Sequence, residues 1–557
     1  MIDLAPLRSR IVEGRPAALM LPGDCVEVMK TLPEGSIDAI VTDPPYGLSF
    51  MGKEWDAPWQ ASSKSALFGD RKTAMPGFGV TRNPTCSVCG GRLRGAKKCA
   101  CEEPAWDESP RATWNRQMVG FQAWNEAWAR EALRVLKPGG YLLAFGGTRT
   151  YHRVACAVED AGFEIRDCIM WFYGSGFPKS LNVSKALDGA AGAEREAIGS
   201  LKTRKGDSGA QTYAALGAFR QSPSTPITAP ATDAARRWQG WGTALKPAFE
   251  PVIVARKPLI GTVAANVLAH GTGAINIDGC RITTADNLNG GAYSGEERKR
   301  DNYSASDANA EASLTRLRRG VGEFKQPQGR WPANVILTHS DDCVCMGLPL
   351  PSMPYNPATD VVEYVRSAGP ELWKCAPGCP IAELDAQSGV LTSGDLSPEN
   401  NVRESSGWSG GSSASRVKSA FVASSGGASR FFYCAKPSRA ERDMGCSELP
   451  ASTGGEATDR KDDSAGTKSP RAGAGRTGGS RNIHPTVKPI ALMRWLCRLV
   501  TPVGGIVLDP FLGSGTTLCA AIAEGFAAVG IEREAAYLPI AQARVKAAIE
   551  QKKAAKG

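Results

Sequence analysis

Apolar positions fall into two blocks that read as alternating helices and buried strands, set apart by long polar stretches. The first block opens with LPGDC (21–25), a short helix through VEVMKTL and the apolar run IDAIVT (37–42). A run of that length bounded by turn residues predicts a strand buried on both faces. It must stop at Asp43-Pro44-Pro45, since neither proline has an N–H to give to a sheet ladder. From Phe121 the segment FQAWNEAWAREALRVL carries apolar and aromatic residues at helical spacing, Lys137-Pro138-Gly139-Gly140 is a stop signal, and YLLAFG is the next strand. YHRVACAVEDAG and FEIRDCIMWFY repeat helix and strand, and FEPVIVARKPL (249–259) adds another strand. The second block runs IALMRWLCRLV as helix, GGIVLDPFLGSGTT as strand and Gly-rich turn, LCAAIAEG as helix and FAAVGIERE as strand. Such alternation predicts an α/β fold on a largely parallel sheet.

Polar, irregular sequence fills 52–112, 181–247, 268–330 and 388–482, the last interrupted by an aromatic strand RFFYCAK (430–436), and no internal repeat is present. A chain of 557 residues exceeds one hydrophobic core. Its 42% hydrophobic and 22% charged residues are those of a globular protein, so the 62 glycines and 37 prolines belong to these connecting stretches. A net charge of +10 permits an anionic partner such as nucleic acid and excludes the charge density of a ribosomal protein. There is no apolar run of ~18 residues, and MIDLAPLRSRIVEGRP has no apolar signal-peptide core, so neither a membrane nor a secreted location is expected. The 16 cysteines, several one to three residues apart, suit metal binding in a reducing cytoplasm better than disulfides.

The turn DPFLGSGTT (509–517) follows a strand and opens a helix, where backbone amides and closely approached glycines can receive a ligand. Leu518 stands where the dinucleotide fingerprint G-x-G-x-x-G needs its third glycine, and no G-x-x-x-x-G-K-[ST] occurs, so the ligand is neither NAD nor ATP. Glu532 ends the following strand, where an acidic side chain can take both hydroxyls of a ribose; a surface glutamate beside a structural turn is the alternative.

Asp43-Pro44-Pro45-Tyr46 behind a buried strand resembles the catalytic D-P-P-Y of the DNA amino-methyltransferases. Two further motifs resemble the same family: Phe511-x-Gly513-x-Gly515, its S-adenosylmethionine motif F-x-G-x-G, and His484-Pro485-Thr486-Val487-Lys488-Pro489, its H-P-T-x-K-P. The order, catalytic motif first and cofactor motif last, resembles the β class, over roughly 1–50, 115–260 and 426–545. The resemblance implies a Rossmann-like S-adenosylmethionine-dependent methyltransferase sheet with circularly ordered motifs and inserted Cys-rich and target-recognition regions. It implies catalysis by Asp43, Pro44, Pro45 and Tyr46. It implies cofactor binding by Asp24 and Cys25 (adenine), His484, Thr486, Lys488, Pro489, Asp509, Pro510, Phe511, Gly513, Ser514, Gly515, Thr516 and Glu532. The expected domains are a catalytic part at 1–75, a Cys-rich insertion at 76–110, the catalytic domain continued at 111–260, a recognition region at 261–425, the cofactor part at 426–545 and a basic tail at 546–557.

The implied reaction is methyl transfer to N6 of a flipped adenine in double-stranded DNA, by an enzyme that pairs as a homodimer on its substrate. Transfer to N4 of cytosine stays open, because one geometry serves both amines. RNA or protein-glutamine methyltransferases resemble N-P-P-Y with the cofactor motif first, an order this chain reverses. A DNA-binding protein with a decayed site is the non-enzymatic alternative, against intact Asp43, Pro44, Tyr46, Gly513, Gly515 and Glu532. The chemistry agrees: an exocyclic aromatic amine is a poor nucleophile, and the Asp43 carboxylate with the Pro44 carbonyl can accept its two N–H bonds and stabilise the charge that develops on nitrogen. Tyr46 offers a face for the flipped base, and Trp171 and Phe172 a second wall, unless these are ordinary core aromatics.

Two cysteine groups remain. Cys86-x2-Cys89-x9-Cys99-x-Cys101, among Arg82, Arg92, Arg94, Lys97 and Lys98, is either a zinc knuckle or a loop of free thiols. His339-x3-Cys343 and Cys375-x3-Cys379 could close a second tetrahedral zinc site, with Cys345 as a competing ligand. Cys156, Cys168, Cys497 and Cys519 lie on apolar segments and read as core.

Overall fold

The computed structural model describes residues 2–47, 85–86, 101, 106–107, 110–173, 180–201, 225–284, 327, 329–339, 343–345, 355–356, 361–362, 373–376, 379–392, 425–426, 428–435, 439–451 and 481–554. Two compact units are present, one made of 1–172, 250–445 and 486–557, the other of 173–249 and 446–485.

The first unit holds a nine-stranded sheet: β1 (Ala18–Pro22), β2 (Ile37–Thr42), β3 (Leu136–Phe145), β4 (Glu164–Phe172), β5 (Phe249–Arg256), β6 (Val335–Thr338), β7 (Tyr433–Ala435), β8 (Ile506–Asp509) and β9 (Ala527–Glu532). Their order is β1-β9-β8-β2-β3-β5-β4-β6-β7. β1 with β9, β9 with β8, β8 with β2, β2 with β3, β4 with β6 and β6 with β7 are parallel. β5 runs antiparallel to β3, Phe145 facing Val252. The last strands in sequence, β8 and β9, thus lie between the first two, which is the Rossmann-like sheet with circularly ordered motifs. From β8 the chain winds one way to β9, and from β2 the other way to β3. The gap between β8 and β2 is therefore the switch point, where open α/β sheets receive ligands at their carboxyl edge.

Every residue of β2, β8 and β9 is buried, as their unbroken apolar runs require. Of the acidic residues among them, Asp38 lies in mid-strand, and its carboxylate is met by Lys137 Nζ at 2.6 Å, Arg8 Nη2 at 3.0 Å and the Ile506 N–H at 2.7 Å, so its burial is compensated. Ile37, Ile40, Leu142, Leu508, Val529 and Ile531 pack with Met29, Phe121 and Trp128 in one core, each such side chain contributing about 1.5–3 kcal/mol when fully buried.

The helix expected from Phe121 begins at Pro110 and ends at Val135. The Lys137–Gly140 segment does not separate helix from strand: it lies inside β3, which pairs Leu136 with Ile37 and resumes at Tyr141 opposite Ala39. Gly139, at φ +75°, makes that bulge possible and donates its N–H to Lys257 O at 3.1 Å. In the second unit, 181–247 is more regular than its polarity suggested, with helices Val183–Ala190 and Asp233–Arg237 and an antiparallel pair Ala197–Leu201/Thr225–Thr228. Buried Asp188 ties these elements together, accepting from Ala231 N–H and Thr232 N–H at 3.0 Å, Thr232 Oγ1 at 2.8 Å and the Arg195 guanidinium. Burial opposes its ionisation, but those donors prevail and hold its pKa down at about 2. Among the described residues no helix is long and apolar enough to cross a membrane.

Candidate active site

The sheet delivers its functional groups at the carboxyl edge. Asp43 directly follows β2, Asp509 is the last residue of β8 and Glu532 the last of β9. Pro44 is buried, Pro45 and Tyr46 are half-buried, and Thr150 Oγ1 donates to Tyr46 O at 2.5 Å, holding the backbone behind the proline pair. Gly47, at φ +74°, turns the chain away where a Cβ would stand 3.0 Å from the Phe121 ring.

Lys488, Glu250 and the Tyr46 hydroxyl converge in front of Asp43. Lys488 Nζ lies 2.8 Å from Asp43 Oδ2, 3.1 Å from Glu250 Oε2 and 3.0 Å from the Tyr46 hydroxyl. That hydroxyl is itself 2.9 Å from Asp43 Oδ1 and 2.8 Å from Glu250 Oε2; with one proton, it donates to one carboxylate at a time. Lys488 also lies over three rings, 4.8 Å from the centroid of Phe145, 5.3 Å from Tyr46 and 5.9 Å from Trp171. Phe145 and Trp171 meet edge to face at 6.2 Å, and Trp171 Nε1 donates to Thr338 Oγ1 at 2.5 Å. Phe172 is half-buried at the end of the same strand.

Electrostatics follow from two carboxylates sharing one ammonium. Burial pushes the Asp43 pKa above the usual carboxylate range; Lys488 opposes the rise and Glu250 adds to it. Burial by itself would lower the Lys488 pKa, but Asp43 and Glu250 outweigh it and keep the amine charged. Burial and the same carboxylates hold the Tyr46 phenol well above its usual range, so it stays a donor.

On the neighbouring strand ends, Gly513 (φ +51°) donates its N–H to Glu532 Oε2 at 2.6 Å, and the Glu534 N–H reaches Glu532 Oε1 at 2.7 Å. Burial pushes the Glu532 pKa up. Asp509 accepts from Thr42 Oγ1 at 2.7 Å and from the Phe511 N–H at 3.1 Å; burial raises its pKa to about 6. Pro510 is buried beside it, and the Phe511 ring packs against Trp124 and Trp128 at 5.6 and 5.4 Å. Arg544, fully buried, braces the turn from outside, donating to Ser514 O at 2.7 Å, Ser514 Oγ at 3.0 Å and Thr516 Oγ1 at 2.9 Å. Gly515 caps the following helix at φ +79°, with Ala541 Cα 3.2 Å from where its Cβ would be. The Gly23 N–H donates to Glu532 O at 2.9 Å, which brings Gly23-Asp24-Cys25 to the same edge. Asp24 caps the helix Cys25–Lys30 through the Val26 and Glu27 N–H groups, and burial pushes the Cys25 thiol up.

The H-P-T-x-K-P motif is divided. His484 N–H donates to Asn482 Oδ1 at 3.1 Å, Thr486 is exposed and Pro489 stands at the N-cap of the helix Ile490–Val500. Lys488, grouped by the resemblance with the cofactor residues, extends to the Asp43 carboxylate.

Two contributors were missed in the sequence. Arg544 lies on the helix Leu538–Ala554, and no local pattern marks it as reaching the glycine turn. Glu250 opens an apolar strand, and only the antiparallel course of β5 carries its N-terminal end to the edge where the parallel strands finish. A charge at the start of FEPVIVAR was the available signal.

His339, Cys343, Cys375 and Cys379 come together with all their ligand atoms within 4.8 Å of one another. Cys345 pairs through its backbone with Trp373, and its side chain lies outside what is described. Of the first cysteine group, Cys89 and Cys99 lie outside the described residues, and Cys86 is described only as strand backbone opposite Trp106.

The profile of the N6/N4 DNA methylase family matches residues 37–188 and 230–543. The chain is similar to the Type II methyltransferase M.HindIII of Haemophilus influenzae, 25% identical over 256 residues that make up 45% of this chain and 63% of the relative. It is similar also to the Type II methyltransferase M.ScaI of Streptomyces caespitosus, 42% identical over 76 residues, 14% of this chain and 25% of the relative. The chain thus spans less than two thirds of the length of these relatives. Among solved structures, the cytosine-N4-specific PvuII DNA methyltransferase aligns at 11% identity over 97% of this chain and 93% of its own, with a TM-score of 0.32. A complex of M1.HpyAVI with S-adenosylmethionine aligns at 11% identity over 95% of this chain and 99% of its own, with a TM-score of 0.28.

Proposed function

The chain belongs to the N6/N4 DNA methylase family, and from that premise we propose that it transfers a methyl group from S-adenosylmethionine to N6 of an adenine flipped out of duplex DNA. The observation that carries this reading is Asp43, held at the end of a buried strand beside the β8/β2 switch point, with Tyr46, Phe145 and Trp171 around it. Asp43 rather than serine at that position favours adenine over cytosine, by resemblance to the adenine enzymes.

The residues fit the cofactor: a positive-φ glycine turn on a helix start, and a buried glutamate on the next strand end able to take a ribose diol. When bound, the sulfonium supplies an electrophilic methyl group. Asp43 and the Pro44 carbonyl would accept the two N–H bonds of the amine, drawing its lone pair out of the ring and stabilising the positive charge that forms. Asp43 can do so only after Lys488 yields its place, and Glu250, 3.1 Å from the ammonium, is placed to keep Lys488 paired as it moves. The aromatic rings then hold the base and exclude water. A homodimer on double-stranded DNA, and zinc as a structural ion, complete the proposal.

The test is incubation of the protein with methyl-labelled S-adenosylmethionine and duplex DNA, followed by digestion to nucleosides. Labelled N6-methyladenine is expected. Label in N4-methylcytosine would replace the base assignment, and no label in DNA would overturn the reading.

A further inference from the structure

We propose that His339, Cys343, Cys375 and Cys379 hold one tetrahedral zinc ion, and that this ion fixes the wall of the base pocket through Thr338 and Trp171. The second half rests on the methyltransferase reading; the first does not.

Three donors are buried, His339 at 4% exposure, Cys343 at 1% and Cys379 at 0%, and Cys375 is half-buried. His339 Nδ1 is 3.5 Å from Cys375 Sγ and 3.6 Å from Cys379 Sγ. One ring nitrogen has one lone pair and cannot accept from two thiols at once. A shared cation removes the conflict: Zn–N of ~2.0–2.1 Å and Zn–S of ~2.3 Å at tetrahedral angles put nitrogen and sulfur about 3.5 Å apart. The Ala376 N–H donates to Cys343 Sγ at 3.3 Å, and Cys379 stands at the N-cap of the helix Pro380–Ser388. Leu337, Ala376, Ile381 and Ala382 pack around the group. Four protein ligands leave no open position, so the site is structural.

Its place in the sheet gives the ion a task. His339 directly follows β6, whose Ile336 is in register with Trp171 on β4, and Thr338 Oγ1 receives the Trp171 indole N–H. β6 is short and near the end of the sheet, so few ladder bonds fix it. An ion tying its end to Cys375 and Cys379 holds Thr338 where it orients the indole beside Phe145 and Lys488.

Elemental analysis of the full chain purified without added metal should find zinc, and Cys379→Ser should lose one equivalent while His339→Cys, a four-thiolate site, keeps it. If Cys379→Ser does not fold, cobalt exchanged into the unmodified protein should give the visible absorption of tetrahedral thiolate coordination. Zinc content unchanged in folded Cys379→Ser, no zinc in the unmodified chain, or no tetrahedral cobalt spectrum would each overturn the site. For the coupling, Thr338→Val should retain zinc and S-adenosylmethionine affinity yet raise KM for DNA severalfold, as should zinc removal. An unchanged KM would overturn the coupling alone. A protein without methylation would overturn the methyltransferase reading and the coupling with it, leaving the zinc content to decide the site.

Discussion

The ammonium of Lys488 sits 2.8 Å from the carboxylate of Asp43, so the group proposed to receive the target amine is already engaged by a cation supplied from the far end of the chain. The pair is buried and shared with Glu250, and its balance sets both the charge of Asp43 and its availability.

The acid limb of kcat/KM should report Asp43. Its pKa is raised, first by burial, so the ionised form that accepts an N–H is lost as pH falls through a value above about 4, the usual aspartate range. Glu250→Gln removes a like charge and should move the limb to lower pH, whereas Lys488→Met removes the opposing cation and should move it higher. Shifts of the same sign in both variants would refute this account.

Asp43→Ala should lower turnover by at least ~10²–10³-fold, the cost of deleting one group that acts on developing charge, with S-adenosylmethionine and DNA affinities kept within about tenfold. Single-turnover kinetics and titration calorimetry measure the two effects separately. Substantial residual methylation would remove Asp43 from the reaction.

Glu532→Gln should weaken S-adenosylmethionine binding by ~10–100-fold in calorimetry, the value of charge-assisted hydrogen bonds to a diol, and lower Tm modestly, since its single amide oxygen cannot serve both the Gly513 and Glu534 N–H groups. Gly515→Val is a poorer probe: its Cβ would press on Ala541 and its φ of +79° disfavours any side chain, so it should lower Tm as well. Full affinity in Glu532→Gln would leave the glutamate a brace for Gly513.

Asp509→Asn should stabilise the protein at neutral pH. Burial raises the Asp509 pKa to about 6 from 3.8, so its ionisation is harder in the folded chain. Its favourable share of stability is complete below about pH 4 and lost as pH rises through 6. Asparagine keeps the oxygen that accepts from Thr42 and Phe511, and unfolding at pH 7.5 should show a gain of ~1–3 kcal/mol that vanishes near pH 4. A gain independent of pH would mean that the Asp509 pKa is the same folded and unfolded, and would refute its rise on burial.

Light scattering with and without a cognate duplex should find two chains per DNA. One chain per duplex across the working concentration range would refute the dimer.

Most strands of the parallel core were legible because their cause is local; β6, parallel to β4 and β7, was not read from the sequence. IDAIVT and GGIVLDP carry unbroken apolar runs, and prolines or glycines end them at the chain positions where the strands end. Asp43, Gly513, Gly515 and Glu532 could be singled out for the same reason, since a strand end or a glycine turn is written in a few consecutive residues. The pattern misled where context overrode it: Lys137–Gly140 looked like a break and is a bulge, because the ladder with β2 resumes beyond it.

By itself, then, the sequence determined the strands beside the switch point and which groups stand at their ends. Tertiary structure alone decided who meets whom: Thr42 with Asp509 across the switch point, Lys488 with Asp43, Glu250 through the reversed strand, and His339 with Cys343, Cys375 and Cys379. The reason is physical. Periodicity and turn chemistry act over a few residues, whereas the direction of β5 and the order of β8 between β9 and β2 are set by which buried faces pack together, and that choice leaves no mark at any one position.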